Sequence, residues 1–342
     1  LANLNALAAI CDPSPEVRAW AEARFPGVRC YAQLADALAA TTLNAAIVAS
    51  DAGRHTALAQ TCLAAGLHVL VEKPLALTVC DAEAVVRAAM QAGRVLAVGH
   101  LLMYHPALKA LKTLMDSGEM GDILSVDCTR LNFGRVRNEE NVWWSLASHD
   151  LSILSLLLDA PLLPVTVSAQ TLLGRPGLED EVTATFQTLE ADKQLAPRWA
   201  SIHVGWLHPV RRRLVVVKGT KKMAVFDDFQ PNETKVTLLD YALEASADGL
   251  VTGMSRGEFR YMPYEPEGDL LEQEALAFLK AVAANDASGL PNNGWNGLEN
   301  VRMLEAVTQA MGPLPAIASG GQPLRGVGPT SLPAMQQGRP RG

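Results

Sequence analysis

From Asn5 to Gly99, short unbroken apolar runs alternate with stretches whose apolar positions recur every three or four residues. The runs at 6–11, 45–49, His68–Val71 and 95–98 have the continuous hydrophobic texture of parallel strands covered on both faces. The clearest helical pattern between them spans 78–91, where Thr78 stands at a cap position with Asp81 three residues on. Its Val79, Ala82, Val85, Val86 and Ala89 share one face. Repeated strand–helix–strand order with short turns predicts an α/β, doubly wound parallel sheet with right-handed crossovers.

Beyond Leu101 the texture changes. Runs at 123–132, 165–173, 182–189, 199–206, 213–217 and 223–227 follow one another without helices between them, which predicts an α+β region built on an open, mainly antiparallel sheet. Lys218-Gly219-Thr220-Lys221 places a turn-forming glycine between two β-rich runs, as a hairpin requires. Helices at Leu270–Ala284 and 297–311 are expected to close this second region. From Ser319 the chain is dense in Gly, Pro, Gln and Arg with no period, so a disordered tail is expected there. The expected division is 1–100, 101–318 and a tail at 319–342, with no repeat at solenoid spacing.

Composition narrows the classes. A chain of 342 residues suits two cores, and 49% hydrophobic against 19% charged residues suits a globule. A formal charge of −7 opposes binding nucleic acid through many neutralised phosphates. The 5 cysteines are scattered and form neither a Cys-x-x-Cys pair nor a cluster with His, so no metal site is expected and a reducing, cytoplasmic setting fits. The most apolar stretch, 151–165, is broken by Asp159 and Pro161 and is shorter than the roughly 20 residues of a membrane helix. No membrane contact is expected. The chain starts at Leu1 without a signal-peptide pattern.

One acid stands where a dinucleotide would need it. In a dinucleotide-binding unit the ribose-gripping acid ends the second strand, about 20 residues after the start of a glycine fingerprint. Asp12 ends the run at 6–11, yet the residues before it contain no glycine. If Asp12 is the ribose ligand, the first strand and the glycine loop lie upstream of Leu1. The other reading is that Asp12 caps the helix beginning near Pro15.

A family resemblance begins at Glu72-Lys73-Pro74, which follows a strand and precedes a capped helix and then Val98-Gly99-His100. It continues through Tyr104-His105-Pro106, the segment from Trp143 and Trp144 to His149 and Asp150, and Gly205-Trp206-Leu207-His208-Pro209. In this setting the chain resembles the Gfo/Idh/MocA oxidoreductases from Ala6 to about Met311. The resemblance implies a Rossmann-type domain followed by a substrate domain with an open sheet. It also implies hydride transfer between a sugar secondary hydroxyl and NAD, with NADP as the alternative; an acid at position 12 favours NAD.

By that likeness the catalytic pair is Lys73 and His149, and the cofactor contacts are Asp12, Ser50, His55, Glu72, Lys73 and His100. Independently of the name, proline after Lys73 pushes that residue toward extended backbone and aims its side chain past the sheet's carboxyl edge, where ligands bind. A cation there favours a developing alkoxide, while the plain alternative is a solvated surface lysine. His149 resembles the family's proton acceptor and has the chemistry of a general base; packing the helix is the competing role. Many relatives carry an acid four residues earlier, where this chain has Ser145. Either His149 works without it, or Asp150 or the substrate supplies the charge. Relatives also show Thr-Pro where this chain has Ser50-Asp51; Asp51 adds negative charge near a pyrophosphate.

The segment holding Arg130, Asn132, Arg135 and Arg137 presents three guanidinium groups near His149, and such forks bind phosphate or carboxylate oxygens in pairs. A nucleotide sugar suits them, and the run resembles relatives that oxidise the C3 hydroxyl of UDP-N-acetylglucosamine derivatives. Tyr104, Arg130, Asn132, Arg137 and Trp143 are thus the candidate substrate contacts. The alternatives are a free-sugar or inositol-like polyol dehydrogenase and a non-catalytic sensor on the same scaffold; for the arginines, a subunit interface. An exposed face on the second sheet predicts a homodimer or homotetramer.

Overall fold

The structure is a computed structural model and describes residues 4, 6–134, 136–189, 196–247 and 250–312. The expected tail at 319–342 and Arg135 lie outside the described residues.

The first region repeats strand and helix: β1 (Ala9–Cys11), α1 (Pro15–Arg24), β2 (Arg29–Tyr31), α2 (Leu34–Ala40), β3 (Ala45–Val48), α3 (His55–Ala64), β4 (His68–Val71), α4 (Val79–Ala92) and β5 (Leu96–Val98). Every strand pair here is parallel. The strands form two sheets, β1-β2 and β3-β4-β5. β4 is buried at all four positions, as its unbroken apolar run requires. α4 starts where Thr78 Oγ accepts from Asp81 N and ends on left-handed Gly93. Its Val85, Val86 and Ala89 press on Val69, Val71 and Val98.

After α5 (Pro106–Asp116) the chain enters a mixed sheet of 8 strands: β6 (Ile123–Phe133), β7 (Leu162–Gln170), β8 (Glu181–Thr188), β9 (Trp199–Gly205), β10 (Leu207–Gly219), β11 (Lys222–Asp227), β12 (Val236–Ala245) and β13 (Val251–Tyr261). Their order is β13-β12-β11-β10-β6-β9-β8-β7. Pairing is antiparallel except between β6 and β9. Strict alternation on β8 puts Val182, Ala184 and Phe186 inward. They meet the apolar face of α6 (Ser148–Leu158) with α5. The expected hairpin forms, with Lys218 paired to Met223, and a side chain at Gly219 would strike the Met120 carbonyl. β12 and β13 had no counterpart among the expected strands.

The last two helices correct an expectation. α7 (Leu270–Ala284) and α8 (Gly294–Ala310) do not simply close the second region but return to the first. Phe278 and Ala281 of α7 pack on Leu70, Val95 and Ala97, and Leu298 and Val301 of α8 join the core of β4 and β5. Asn293 bridges Ala97, and Gly297 faces Val98 where a Cβ would collide. One turn further, Leu304 and Val307 of α8 enter the core under the large sheet. Among the described residues, no helix is long and apolar enough to cross a membrane.

Candidate active site

The tips of β3, β4 and β5 carry Ser50, Glu72-Lys73 and Gly99-His100. β4 and β5 are held level by backbone pairing, since Glu72 N donates to the Val48 carbonyl and Gly99 N to the Val71 carbonyl. A Cβ on Gly99 would lie 2.7 Å from Glu72 Oε2, so a side chain there would displace the Glu72 carboxylate. Behind the tips, Asn292 ties three elements together. Its Nδ2 donates to the Val98 carbonyl at 2.6 Å and to Glu274 Oε1 at 3.2 Å, and its Oδ1 accepts from the Tyr104 hydroxyl at 2.6 Å. Burial, with help from the charge of Glu72, pushes the Glu274 carboxyl up to about 8.

Lys73 crosses from the parallel sheet to the other half of the molecule. Its Nζ donates to the Ser145 carbonyl at 3.1 Å, inside a π-helical turn at Trp143–Ala147 that leads into α6. One such turn inserted ahead of a helix is a frequent mark of a functional site. Burial pushes the Lys73 ammonium below its usual range, and Glu140 works against that shift. His149 follows four residues after Ser145. Burial holds its imidazole well below the usual range, and the cations of Arg130 and Lys73 add to the effect. His100 is 1% exposed, and burial, assisted by Lys73, pushes it down to about 3. Both ring nitrogens of His100 and Nδ1 of His149 are buried without partners. Lys73, His100 and His149 thus share one electrostatic neighbourhood, with two neutral imidazoles beside an ammonium.

The other expected contacts divide. Asp12 lies at the tip of β1, its Oδ1 accepting from Ser14 N at 2.8 Å; the cap of α1 is Ser14, not Asp12. Ser50 Oγ donates to the Asp51 carbonyl at 3.2 Å. His55, an expected ligand contact, braces two tips: its two ring nitrogens lie 2.7 Å from the Pro74 carbonyl and 2.9 Å from the Ser50 carbonyl. Arg130 is largely buried in this structure. It is 7% exposed and forms a two-pronged pair with Asp150 at 2.8 and 2.9 Å. Trp143 is fully buried against Phe186 and donates to the Leu304 carbonyl at 3.2 Å, and Tyr104 is buried on Asn292. Arg137 is exposed, paired with Glu140 at 3.1 Å, and its charge is felt by Lys73. Asn132 keeps a buried, unpartnered Oδ1 near the end of β6. Asn292 and Glu274 were not among the expected site residues: each has polar neighbours in the chain, Asn293 beside the one and Glu272-Gln273 before the other, so neither stands out.

The residues in place fit the nicotinamide end of a dinucleotide. Partnerless imidazole nitrogens of His100 sit at the carboxyl edge of a parallel sheet, where such ligands bind, within reach of the Lys73 charge. Fold and site together define an NAD-binding oxidoreductase. The sequence pattern of the oxidoreductase family with an NAD-binding Rossmann fold matches residues 2–100, and that of the GFO/IDH/MocA C-terminal domain matches residues 108–225. The chain belongs to the Gfo/Idh/MocA family. It is similar to inositol 2-dehydrogenase 1 of Mycolicibacterium vanbaalenii, 27% identical over 84% of this chain and 81% of that protein. It is also similar to the UDP-N-acetylglucosamine 3-dehydrogenase of Acidithiobacillus ferrooxidans, 28% identical over 83% of each. The solved structure of the latter, GnnA, superposes with a TM-score of 0.70 at 24% identity over 89% of each chain.

Proposed function

We propose that this chain is a dehydrogenase for a secondary hydroxyl on a sugar or polyol ring, with Lys73 and His149 as its catalytic residues. The observation that carries the proposal is their convergence: Lys73 Nζ reaches the carbonyl four residues before His149, although 76 positions separate the two residues in the sequence (149 − 73). NAD+, when bound, supplies the hydride acceptor. The chain's own residues handle the oxygen and its proton. The Lys73 ammonium donates to the carbinol oxygen and favours its anionic form. The neutral His149 imidazole, kept so by burial and by nearby cations, accepts the hydroxyl proton. Ser50, Glu72 and His100 hold the nicotinamide ribose and ring, and Asp12 the adenosine ribose. Arg137 and Asn132 face the substrate.

The nucleotide-sugar reading draws support from the 28% identical UDP-N-acetylglucosamine 3-dehydrogenase. The free-polyol reading draws support from the inositol relative and from Arg130, whose fork is taken by Asp150. Assays of UDP-N-acetylglucosamine and myo-inositol, followed by absorbance of the reduced nicotinamide, separate the two. Lys73→Ala and His149→Ala should each lower turnover by about 100-fold or more. Near-normal turnover in both, with circular dichroism unchanged, would overturn the assigned roles.

Oligomeric state and compartment are part of the same proposal. β13 is exposed along nearly its whole length and carries Met254, Phe259 and Tyr261, an apolar edge suited to a second copy of this chain. The 5 cysteines are all free thiols, in keeping with a reducing cytoplasm.

A further inference from the structure

β10 carries a bulge where it passes the end of β6. It pairs Leu207 with Phe133 and then Arg212 with Leu131, so the segment 208–211 takes up more chain than β6 sets opposite it. Bulges re-aim side chains and gather beside active sites. Past this one, Arg213 pairs with Arg130, whose guanidinium holds Asp150, the residue after His149. Residues opposite each other on paired strands share a face, and Val215 and Val217, further along the face of Arg213, are buried in the core under α5 and α6. Arg213 therefore stands where that cover ends, its side chain 43% exposed. After burial, Arg130, Lys73 and His100, its charge is one more that holds the His149 imidazole low.

Arg211 and Arg213 reach the same ring: their guanidinium carbons lie 5.8 and 5.3 Å from the centre of Phe229. Phe229 and Arg211 are both exposed. Positive charge is in surplus here. Asp228 faces two cations, Arg213 Nη1 at 3.1 Å and Lys235 Nζ at 3.4 Å. The next carboxylate, Asp227, is turned to the Phe229 backbone nitrogen and the Gln230 amide, each at 3.1 Å. Arg211 has no carboxylate partner among the described residues.

We infer that the ledge of Arg211, Arg213 and Phe229 is an anion subsite of the candidate active site, taking the phosphate or diphosphate group of a sugar ester whose carbinol lies at His149. The inference rests on the catalytic placement of His149 proposed above, and it narrows the substrate from ring polyols in general to sugars that carry phosphate. Guanidinium forks bind phosphate oxygens through charge-assisted bonds. Two forks over one ring suit a phosphate, which offers three acceptor oxygens, better than a carboxylate with two. A neutral polyol brings no charge to meet either cation. The aromatic face beneath them holds the guanidiniums in place before the ligand arrives, which lowers the ordering cost of binding.

Calorimetric titration of the full chain tests the ledge, with NAD in excess so that any dinucleotide site is filled. UDP, glucose 1-phosphate, inorganic phosphate and methyl glucoside are added separately. The expected result is saturable binding of at least one of the two esters, tighter than inorganic phosphate, with methyl glucoside silent at the same concentration. Arg211→Ala should weaken that binding about 10-fold or more, the loss of one charge-assisted contact. Arg24→Ala removes another exposed arginine that lies over a phenylalanine, Phe25, on α1, and should leave the affinity unchanged. No saturable binding of either ester, inorganic phosphate or methyl glucoside binding as tightly as the esters, an unchanged affinity in folded Arg211→Ala, or an equal loss in Arg24→Ala would overturn the subsite. The signal is binding and not turnover, so the ledge can fail while Lys73→Ala and His149→Ala abolish activity, and the catalytic roles can fail while an ester still binds.

Discussion

The parallel strands and the eight-stranded sheet put their chemistry in different places. β4 is buried along its whole length and has no side chain free for a ligand until it ends, so Glu72, Lys73 and His100 all sit just past strand tips. The large sheet alternates, with one face sealed by α5, α6 and α8, and contributes Arg130 to the sealed side. What the proposed site takes from this half comes instead from the helix on top of it, through His149. A sheet covered on both faces can act only at its ends, whereas a half-covered one can lend its bulk as a foundation and leave the chemistry to what it supports.

The harshest way to break that foundation is to unpair Arg130. Asp150→Ala leaves a guanidinium buried beneath α6 without its counter-charge, and unfolding in urea should show a loss of about 3–5 kcal/mol. A loss below about 1 kcal/mol would mean that the pair is not structural.

Acid and base probe the strand tips next. His100 has a folded pKa of about 3 against an ordinary 6.5, so the unfolded chain takes up a proton that the folded chain refuses. Its contribution is complete above pH 6.5 and drains away as the pH falls toward 3. His149 is shifted in the same direction. Glu274 is raised from 4.5 to about 8; its neutral folded form is matched by the unfolded chain only below 4.5, and stability is lost as the pH climbs from there toward 8. Urea unfolding across pH 5 to 8.5 should therefore show losses on both sides, of roughly 1–2 kcal/mol for one histidine by pH 5. His100→Gln should flatten the acid limb and Glu274→Gln the alkaline one. Limbs that stay unchanged in both variants would remove these two groups from the account.

The smallest effect belongs to the exposed edge of the large sheet. Met254→Lys with Phe259→Ser alters side chains that are 69% and 58% exposed. Protomer stability should move by no more than about 0.5 kcal/mol per change, while light scattering should report a smaller assembly than the parent chain forms. An unchanged mass would move the subunit contact elsewhere.

Much of this was legible in the chain. Unbroken apolar runs gave β3, β4 and β5; the Thr78 and Asp81 spacing gave the start of α4; and proline after Lys73 pointed to a strand tip. β13 was not legible, because an edge strand exposed on both sides has no alternation to read. The pairing of Arg130 with Asp150 escaped because periodicity says that a position is buried, not which partner 20 residues away will meet it. The same limit hid the course of α8. Its apolar face announced burial, but only the close approach of Gly297 to Val98 reveals against what. His100 stands alone among apolar neighbours and Asn292 sits in the polar run Asn292-Asn293, and only three dimensions show that the first lacks partners and the second has several.

α8 has a mechanical consequence. Leu298 and Val301 are anchored in one hydrophobic interior and Leu304 and Val307 in the other, so the helix works as a strut mortised at both ends. Swinging the halves apart would pull one end out of its socket. A hinge between the two halves is therefore disfavoured, and the relative placement of Lys73 and His149, one on either side of it, is held by the same helix.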